Sequence, residues 1–227
     1  MQRRTFTLGA VSLAAPATFA ANLAALGDAD AAKGIQAALE RGATSAVKLL
    51  GTTDGFFANP KVHIPLPGWL KDAAGLLKSL GQRKQVEELE LAMNRAAEQA
   101  VPYAKDLLVN AARSVTVQDA RRILTGGDTS VTEFFASKTR EPLSVKFLPM
   151  VKRATANVGL AQKYDKVAGR AAGLGLVKKE DASIDHYVTR KALDGLYLMI
   201  GEEERAIRRD PVGTGSALLG KVFGALK

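Results

Sequence analysis

Apolar residues recur every three or four positions along most of this chain. From Lys33 to Leu50 they fall on one side of a helix, at Ile35, Leu39, Ala43, Ala46, Val47 and Leu50. Stripes of the same kind follow from residue 69 onward and are broken at glycine or proline. We therefore predict an all-α fold, an irregular multi-helix bundle of about 8–10 helices.

One stretch cannot be helical. Residues 52–68 read TTDGFFANPKVHIPLPG and contain three prolines and two glycines. Val62, Ile64 and Leu66 alternate there with polar or proline positions, which is the pattern of an extended chain with one side on the core. A single strand makes no sheet, so we predict one extended, proline-rich segment near 56–67 within the helical bundle.

Local motifs predict where several helices begin and end. Gly51 terminates the first stripe, and Thr116 with Asp119 forms a capping box for a short helix. Asp185 is the predicted N-cap of the last long helix. Pro149 falls inside a helical pattern, where its missing amide and its ring predict a kink or a split.

The glycine pair at 126–127 precedes a helix start and could hold an anion on free amides. It lacks the lysine of a phosphate-binding loop, and Asp128 would repel a phosphate, so a helix-to-helix turn is the preferred interpretation. Asp128 is the predicted cap of the following helix, and Ser130 with Glu133 is the alternative cap.

The amino terminus has the layout of an export signal. Arg3 and Arg4 form a basic start, residues 6–15 are an apolar run, and residues 18–20 offer a small-x-small cleavage site, with 15–17 as a competitor. The sequence also resembles a twin-arginine signal, and the choice between the Sec route and the twin-arginine route stays open. We predict cleavage near Ala20 and a periplasmic protein.

These observations divide the chain into three parts: a cleaved signal over 1–20, a flexible mature N-terminus over 21–32, and a single helical domain over 33–227. The apolar run of the signal is shorter than the roughly 20 residues that a membrane span needs. No later segment reaches that length without charges, so we expect no transmembrane span.

The composition limits the possible chemistry. Cysteine is absent, which excludes disulfides, thiolate metal sites and cysteine nucleophiles. Loss of Arg3 and Arg4 lowers the formal charge from +9 to +7. Basic residues are spread along the chain, and the cluster from Arg205 to Arg209 has acids beside it, so we expect solvated charge and no nucleic-acid partner.

Several segments together resemble one family. They are DGFFANPKVHIPLP, ELELAMNRAAEQAVPYAK, ILTGGDTSVTEFF, YVTRKALDGLYLMIGEEERAIRRDP and KVFG, in this order. Their joint occurrence is similar to the bacterial domain-of-unknown-function 4197 family over roughly Ile35 to Gly224. The resemblance implies an exported, helical protein of a Gram-negative-type bacterium. It carries no established activity and therefore no catalytic residues.

Polar residues on helical faces provide the first candidate site residues. Asn94 and Glu98 are four apart and share a face, which suits either a polar pocket or hydrogen bonds that fix two helices together. Asp194 and Glu203 lie on the last long helix. The glutamates at 202–204 are expected mainly on a solvated face, with Glu204 in a local ion pair.

Aromatic residues such as Phe134 and Tyr197 are core residues or line an apolar cavity. The ligand-binding candidates are thus Asn94, Glu98, Asp194, Glu203, Tyr197 and Phe134. We assign no catalytic residue, no metal site and no cofactor, since the two histidines lie in unrelated contexts and no Glu-x-x-His motif or GxSxG elbow occurs.

Three functions are compatible with these features. The leading one is a non-enzymatic periplasmic module that binds a partner or associates with the envelope, with an apolar or lipid-like ligand. The second is a hydrolase-type enzyme that uses buried carboxylates, with Glu98, Asp194 and Glu203 as candidates. The third is a basic adaptor for acidic partners. The oligomeric state stays open.

Overall fold

A computed structural model describes residues 27–156, 159–173 and 183–225, and the predicted signal over 1–20 lies outside them. The α-helices are α1 (Asp28–Leu50), α2 (Gly68–Leu77), α3 (Arg83–Ala100), α4 (Lys105–Arg113), α5 (Val117–Leu124), α6 (Ser130–Thr155), α7 (Gly159–Gly173), α8 (Ile184–Arg209) and α9 (Ala217–Gly224). A π-helical turn (Lys78–Gln82) joins α2 to α3, and a 3-10 turn (Val101–Ala104) joins α3 to α4. No strand occurs within the described ranges, and the predicted all-α fold is confirmed.

Two long helices form the centre of the bundle. Helix α6 packs against α8 on one side and α3 on another, and α1 packs across α8, α4, α5 and α9. The apolar stripes meet in one core, in which Phe56, Phe135, Phe147 and Phe223 are fully buried. In the part of the chain that the structure describes, no helix combines the length and apolarity needed to cross a membrane.

The segment predicted as extended, which keeps that name below, packs on the core as its alternation predicts, although residues 53–58 and 60–62 form turns and only 63–67 run without a turn. Val62, Ile64 and Leu66 are buried, whereas the residues between them are partly exposed. Gly195 on α8 permits this close approach, because a Cβ there would lie 2.8 Å from a ring carbon of Phe56. The sequence pattern of the segment therefore reflects its packing against α8.

Helix ends agree with prediction where the motif is local. Gly51 ends α1, and its backbone amide donates a hydrogen bond to the Val47 carbonyl. Thr116 with Asp119 forms the predicted capping box of α5. Helix α1 begins at Asp28, within the range predicted as the mature N-terminus, and Ala31 and Ala32 are already buried.

The two aspartate caps were wrong. Thr129 precedes α6 without a side-chain cap bond, so neither Asp128 nor the alternative at Ser130 caps that helix. Ser183 caps α8 by accepting from the His186 amide, whereas the Asp185 carboxylate accepts from the Thr155 hydroxyl of α6. At α6 the amides of Val131 and Thr132 are bound by Glu204 of α8, and at α8 the cap is the local Ser183, two residues before Asp185.

Pro149 does not split its helix, and the alternative of a kink stays a prediction. Helix α6 continues through Pro142 and Pro149, both of which are exposed. Two prolines seven residues apart lie on nearly the same face of a helix, where water can bind the carbonyls that lose their amide partners. Packing of the opposite face against α3 and α8 then maintains the helix.

Candidate functional site

Asn94 lies on α3 and binds the extended segment. Its Oδ1 accepts from the Ile64 amide at 2.9 Å, and its Nδ2 donates to the Ile64 carbonyl at 2.9 Å. The same Nδ2 donates to the Glu90 carbonyl at 2.8 Å. Asn94 is fully buried. The amide and carbonyl of Ile64 are not part of a helix or sheet, and the Asn94 side chain satisfies both of them.

Glu98 holds the same segment one turn further along α3. Its Oε1 accepts from the Phe56 and Phe57 amides at 3.0 and 3.1 Å, and its Oε2 accepts from Arg95 at 2.6 Å. Arg95 also donates to Asp54 at 2.7 Å, and the bonds to Glu98 and Asp54 raise the pKa of Arg95. Asn94 and Glu98 were predicted to bind a second helix or line a polar pocket. In the structure, both side chains instead connect α3 to the extended segment.

A third buried polar group lies at the amino end of α6. Glu204 of α8 accepts from the Val131 and Thr132 amides at 3.1 and 2.9 Å, and from the Thr132 hydroxyl at 2.7 Å. Arg208 donates to Glu204 at 3.0 Å and to the Ser130 hydroxyl at 3.0 Å. The carboxylate occupies the position that an anion would take at a helix N-terminus.

The expectation that Glu204 lies on a solvated face was wrong, because this side chain is buried. The spacing of Glu204 along the sequence could have predicted its burial. Glu204 follows Ile200 by four residues and precedes Ile207 by three, and both isoleucines belong to the apolar stripe of α8. A charged residue at stripe spacing is a candidate for a buried, paired group.

Arginines surround the turn that precedes α6. Arg205, Arg208 and Arg209 line an open depression of about 300 Å³ together with Asp128. The glycine-rich turn and the basic cluster, which the sequence presents separately, therefore form one surface. Guanidinium groups in this arrangement suit carboxylate or phosphate groups, although Asp128 and Glu204 already supply negative charge.

Asp194 and Tyr197 share Arg140 as a neighbour. Asp194 accepts from Arg140 at 2.8 Å and its side chain is 43% exposed. Tyr197 is buried, its hydroxyl lies 2.6 Å from that of Thr139, and Arg140 lies 5.0 Å from the ring centroid. Burial raises the pKa of Tyr197 to about 12. The phenol is therefore a packed, neutral hydrogen-bonding group.

The two remaining candidates lie apart from these clusters. Glu203 accepts from Arg41 of α1 at 2.7 Å and its side chain is 25% exposed. It borders an open depression of about 270 Å³ between α1 and α8. Phe134 is partly buried, and Lys138 lies 5.6 Å from its ring centroid. The six candidates thus do not form one site.

The three carboxylates proposed for an enzyme do not form a buried set. Glu98 is buried, but Asp194 and Glu203 are partly exposed and each pairs with a different arginine. Over the described ranges, no group of three or more histidine, aspartate or glutamate side chains is arranged to hold a metal ion.

Comparison with known proteins provides one match. Residues 25–224 match the family model described as protein of unknown function (DUF4197). No curated protein and no solved structure matches the chain significantly. The match covers nearly the whole chain, and it confirms the resemblance seen in the sequence.

Proposed function

We propose that this chain, which belongs to the DUF4197 family of proteins of unknown function, is a non-enzymatic binding module of the bacterial envelope that is exported to the periplasm. One observation carries the proposal. The buried polar side chains Asn94, Glu98 and Glu204 all bind backbone groups of the fold itself. Their hydrogen bonds hold the extended segment and the start of α6 in place, and this favours a structural role over catalysis.

The surroundings of Glu98 support this interpretation. A general acid or base must reach the proton that it transfers. Both carboxylate oxygens of Glu98 already accept hydrogen bonds, from two amides and from Arg95. A carboxylate whose two oxygens are occupied in this way suits a structural role.

The location of the fold along the chain supports export. The first described helix begins at Asp28, and the family match begins at residue 25. Cleavage near Ala20 therefore removes the signal-like segment without touching α1. Ala31 of α1 is the first core residue of the described ranges.

Cell fractionation tests this proposal. The full chain is expressed in a Gram-negative host, and the mass of the recovered protein is measured in the periplasmic, membrane and cytoplasmic fractions. We expect a chain outside the cytoplasm that starts near Ala21. An intact chain in the cytoplasm would overturn the proposal. A variant with Arg3→Lys and Arg4→Lys distinguishes the export routes, since twin-arginine transport requires the arginine pair.

One observation favours a second function, the basic adaptor. Arg205, Arg208 and Arg209 line the same depression, and arginine pairs well with carboxylates. Binding of a fluorescent polyglutamate peptide tests it by anisotropy. The Arg205→Gln/Arg209→Gln variant should bind more weakly than a Lys48→Gln/Lys146→Gln control with the same loss of charge. Equal weakening would refute a specific site.

A further inference from the structure

The hairpin between α2 and α3 carries exposed leucines. Leu76 is 64% exposed and Leu80 is 66% exposed. They are four residues apart, and the Ser79 hydroxyl donates to the Leu76 carbonyl at 2.8 Å. Gly81 then adopts a φ of +78° and turns the chain toward α3. We refer to residues 76–84 as the α2–α3 tip.

The tip lies at the edge of the bundle. Helix α2 and the π-helical turn make their main contacts with each other and with α3. Leu70 anchors the start of α2 in the core. The far end of the hairpin, with its two leucines, thus faces away from that core.

The charge of the tip has one sign. Residues 73–86 contain Lys78, Arg83 and Lys84 and no acidic residue. Lys78 and Lys84 are exposed, and the ion pairs of the described residues do not include them. Arg83 pairs with Glu87 at 2.7 Å on the exposed side of α3. Exposed leucines are therefore flanked by two lysines that have no ion-pair partner among the described residues, while the carboxylates of Glu87 and Glu88 begin one turn further along α3.

We infer that the α2–α3 tip docks the protein on the surface of an anionic lipid bilayer. Leucines that enter the boundary between headgroups and acyl chains, with lysines at the level of the phosphates, are typical of peripheral membrane attachment. A protein partner would equally accept leucines, but the absence of acids over 73–86 favours a uniformly anionic partner. This inference rests on the proposed envelope function and specifies its partner as lipid.

Vesicle sedimentation tests the inference directly. The purified chain from Ala21 onward contains all of the described fold and lacks the apolar signal, which would itself bind lipid. Vesicles of phosphatidylglycerol and phosphatidylcholine are compared with vesicles of phosphatidylcholine alone. We expect binding to the anionic vesicles that weakens as salt is added.

Two variants separate the apolar and the ionic contributions. Leu76→Ala/Leu80→Ala should weaken binding on the order of tenfold or more, because it removes the groups that enter the bilayer. Lys78→Gln/Lys84→Gln should weaken it about 25-fold at low salt, or about fivefold per cation. The matched controls are Val145→Ala, an exposed apolar residue of α6, and Lys48→Gln/Lys146→Gln.

The outcomes are distinct. Circular dichroism checks that each variant is folded, and substitutions at exposed positions should leave the unfolding temperature unchanged. The inference would be overturned if the protein did not bind the anionic vesicles, or if the tip variants and the control variants lost vesicle binding to the same extent. Concentration-dependent dimerisation that the leucine variant abolishes, without vesicle binding, would assign the tip to a second copy and also overturn it. Export from the cytoplasm is measured independently of these results.

Discussion

The bond between Asn94 and the extended segment provides the sharpest test of the fold. In Asn94→Ala, the amide and carbonyl of Ile64 lose their partner while the segment around them stays packed on the core. Alanine favours the helix, so a loss of stability cannot be attributed to helix propensity. The perturbation is therefore confined to the link between α3 and the segment.

The expected loss follows from the two backbone groups. An unpaired buried donor or acceptor costs about 1–3 kcal/mol. Two such groups give about 4 kcal/mol, a large fraction of the 5–15 kcal/mol typical of a folded domain. Entry of water would lower the loss toward about 2 kcal/mol. Asn94→Asp should also be destabilising at neutral pH, because its carboxylate would face the carbonyls of Ile64 and Glu90.

Equilibrium unfolding in urea, followed by circular dichroism, measures these free energies. The control is Gln99→Ala, which removes an exposed amide from the same helix and should change stability by about 0.5 kcal/mol or less. A loss below about 1 kcal/mol in Asn94→Ala, or a loss equal to that of the control, would refute the role assigned to this side chain.

Three further predictions follow from named contacts. Glu204→Ala should lower the free energy of unfolding by about 3–5 kcal/mol, because it removes the acceptor for buried groups at the start of α6. The control is the neighbouring Glu203→Ala, which should lower the free energy of unfolding by about 1 kcal/mol or less in the same urea titration. Tyr197 should ionise near pH 12, measured as the difference between the tyrosinate absorbance titrations of the wild-type protein and Tyr197→Phe. Its folded pKa lies above the ordinary tyrosine pKa of about 10, so its contribution to stability is complete below pH 10 and is lost as the pH rises toward 12. A difference titration centred near pH 10 would contradict its burial. Gly195→Ala should destabilise the protein by about 1–3 kcal/mol, because the added Cβ would contact the extended segment. The control is Gly75→Ala, whose Cβ would meet no atom within 4 Å and which should be neutral or stabilise α2 by about 0.5–1 kcal/mol. Equal melting temperatures for the two variants would count against the packing of the segment on Gly195.

Much of the helical architecture was predictable from the sequence, because the information is local. Apolar spacing places the stripes, and Gly51 and the Thr116–Asp119 pair end or begin helices through contacts within one turn. The alternation of Val62, Ile64 and Leu66 identifies the extended segment for the same reason. These features depend only on neighbouring residues.

The wrong predictions share a long-range cause. The amides at the start of α6 are bound by Glu204, more than seventy residues away, so no local cap is required at Asp128. Asp185 likewise contacts Thr155 of α6 instead of capping its own helix. Pro149 is accommodated because α6 is held by its neighbours. Local patterns do not encode which helices meet.

The candidate site residues divide along the same line. Asn94 and Glu98 were selected because they share a face of α3, and the structure places both in contact with the extended segment. Asp194 and Glu203 share α8 but pair with different arginines. Spacing along one helix identifies a shared face, whereas the partner across the interface depends on the tertiary fold.

The distribution of the protein between the soluble periplasm and the membrane fraction tests the whole account most directly. The full chain and its Leu76→Ala/Leu80→Ala variant are expressed with the signal. The membrane fraction is washed with high salt, and the amount of each protein in every fraction is quantified by mass spectrometry. The account predicts a processed wild-type protein on the membrane, released by salt, and a processed variant in the soluble periplasm. An unprocessed cytoplasmic protein, or the same distribution for both chains, would contradict it.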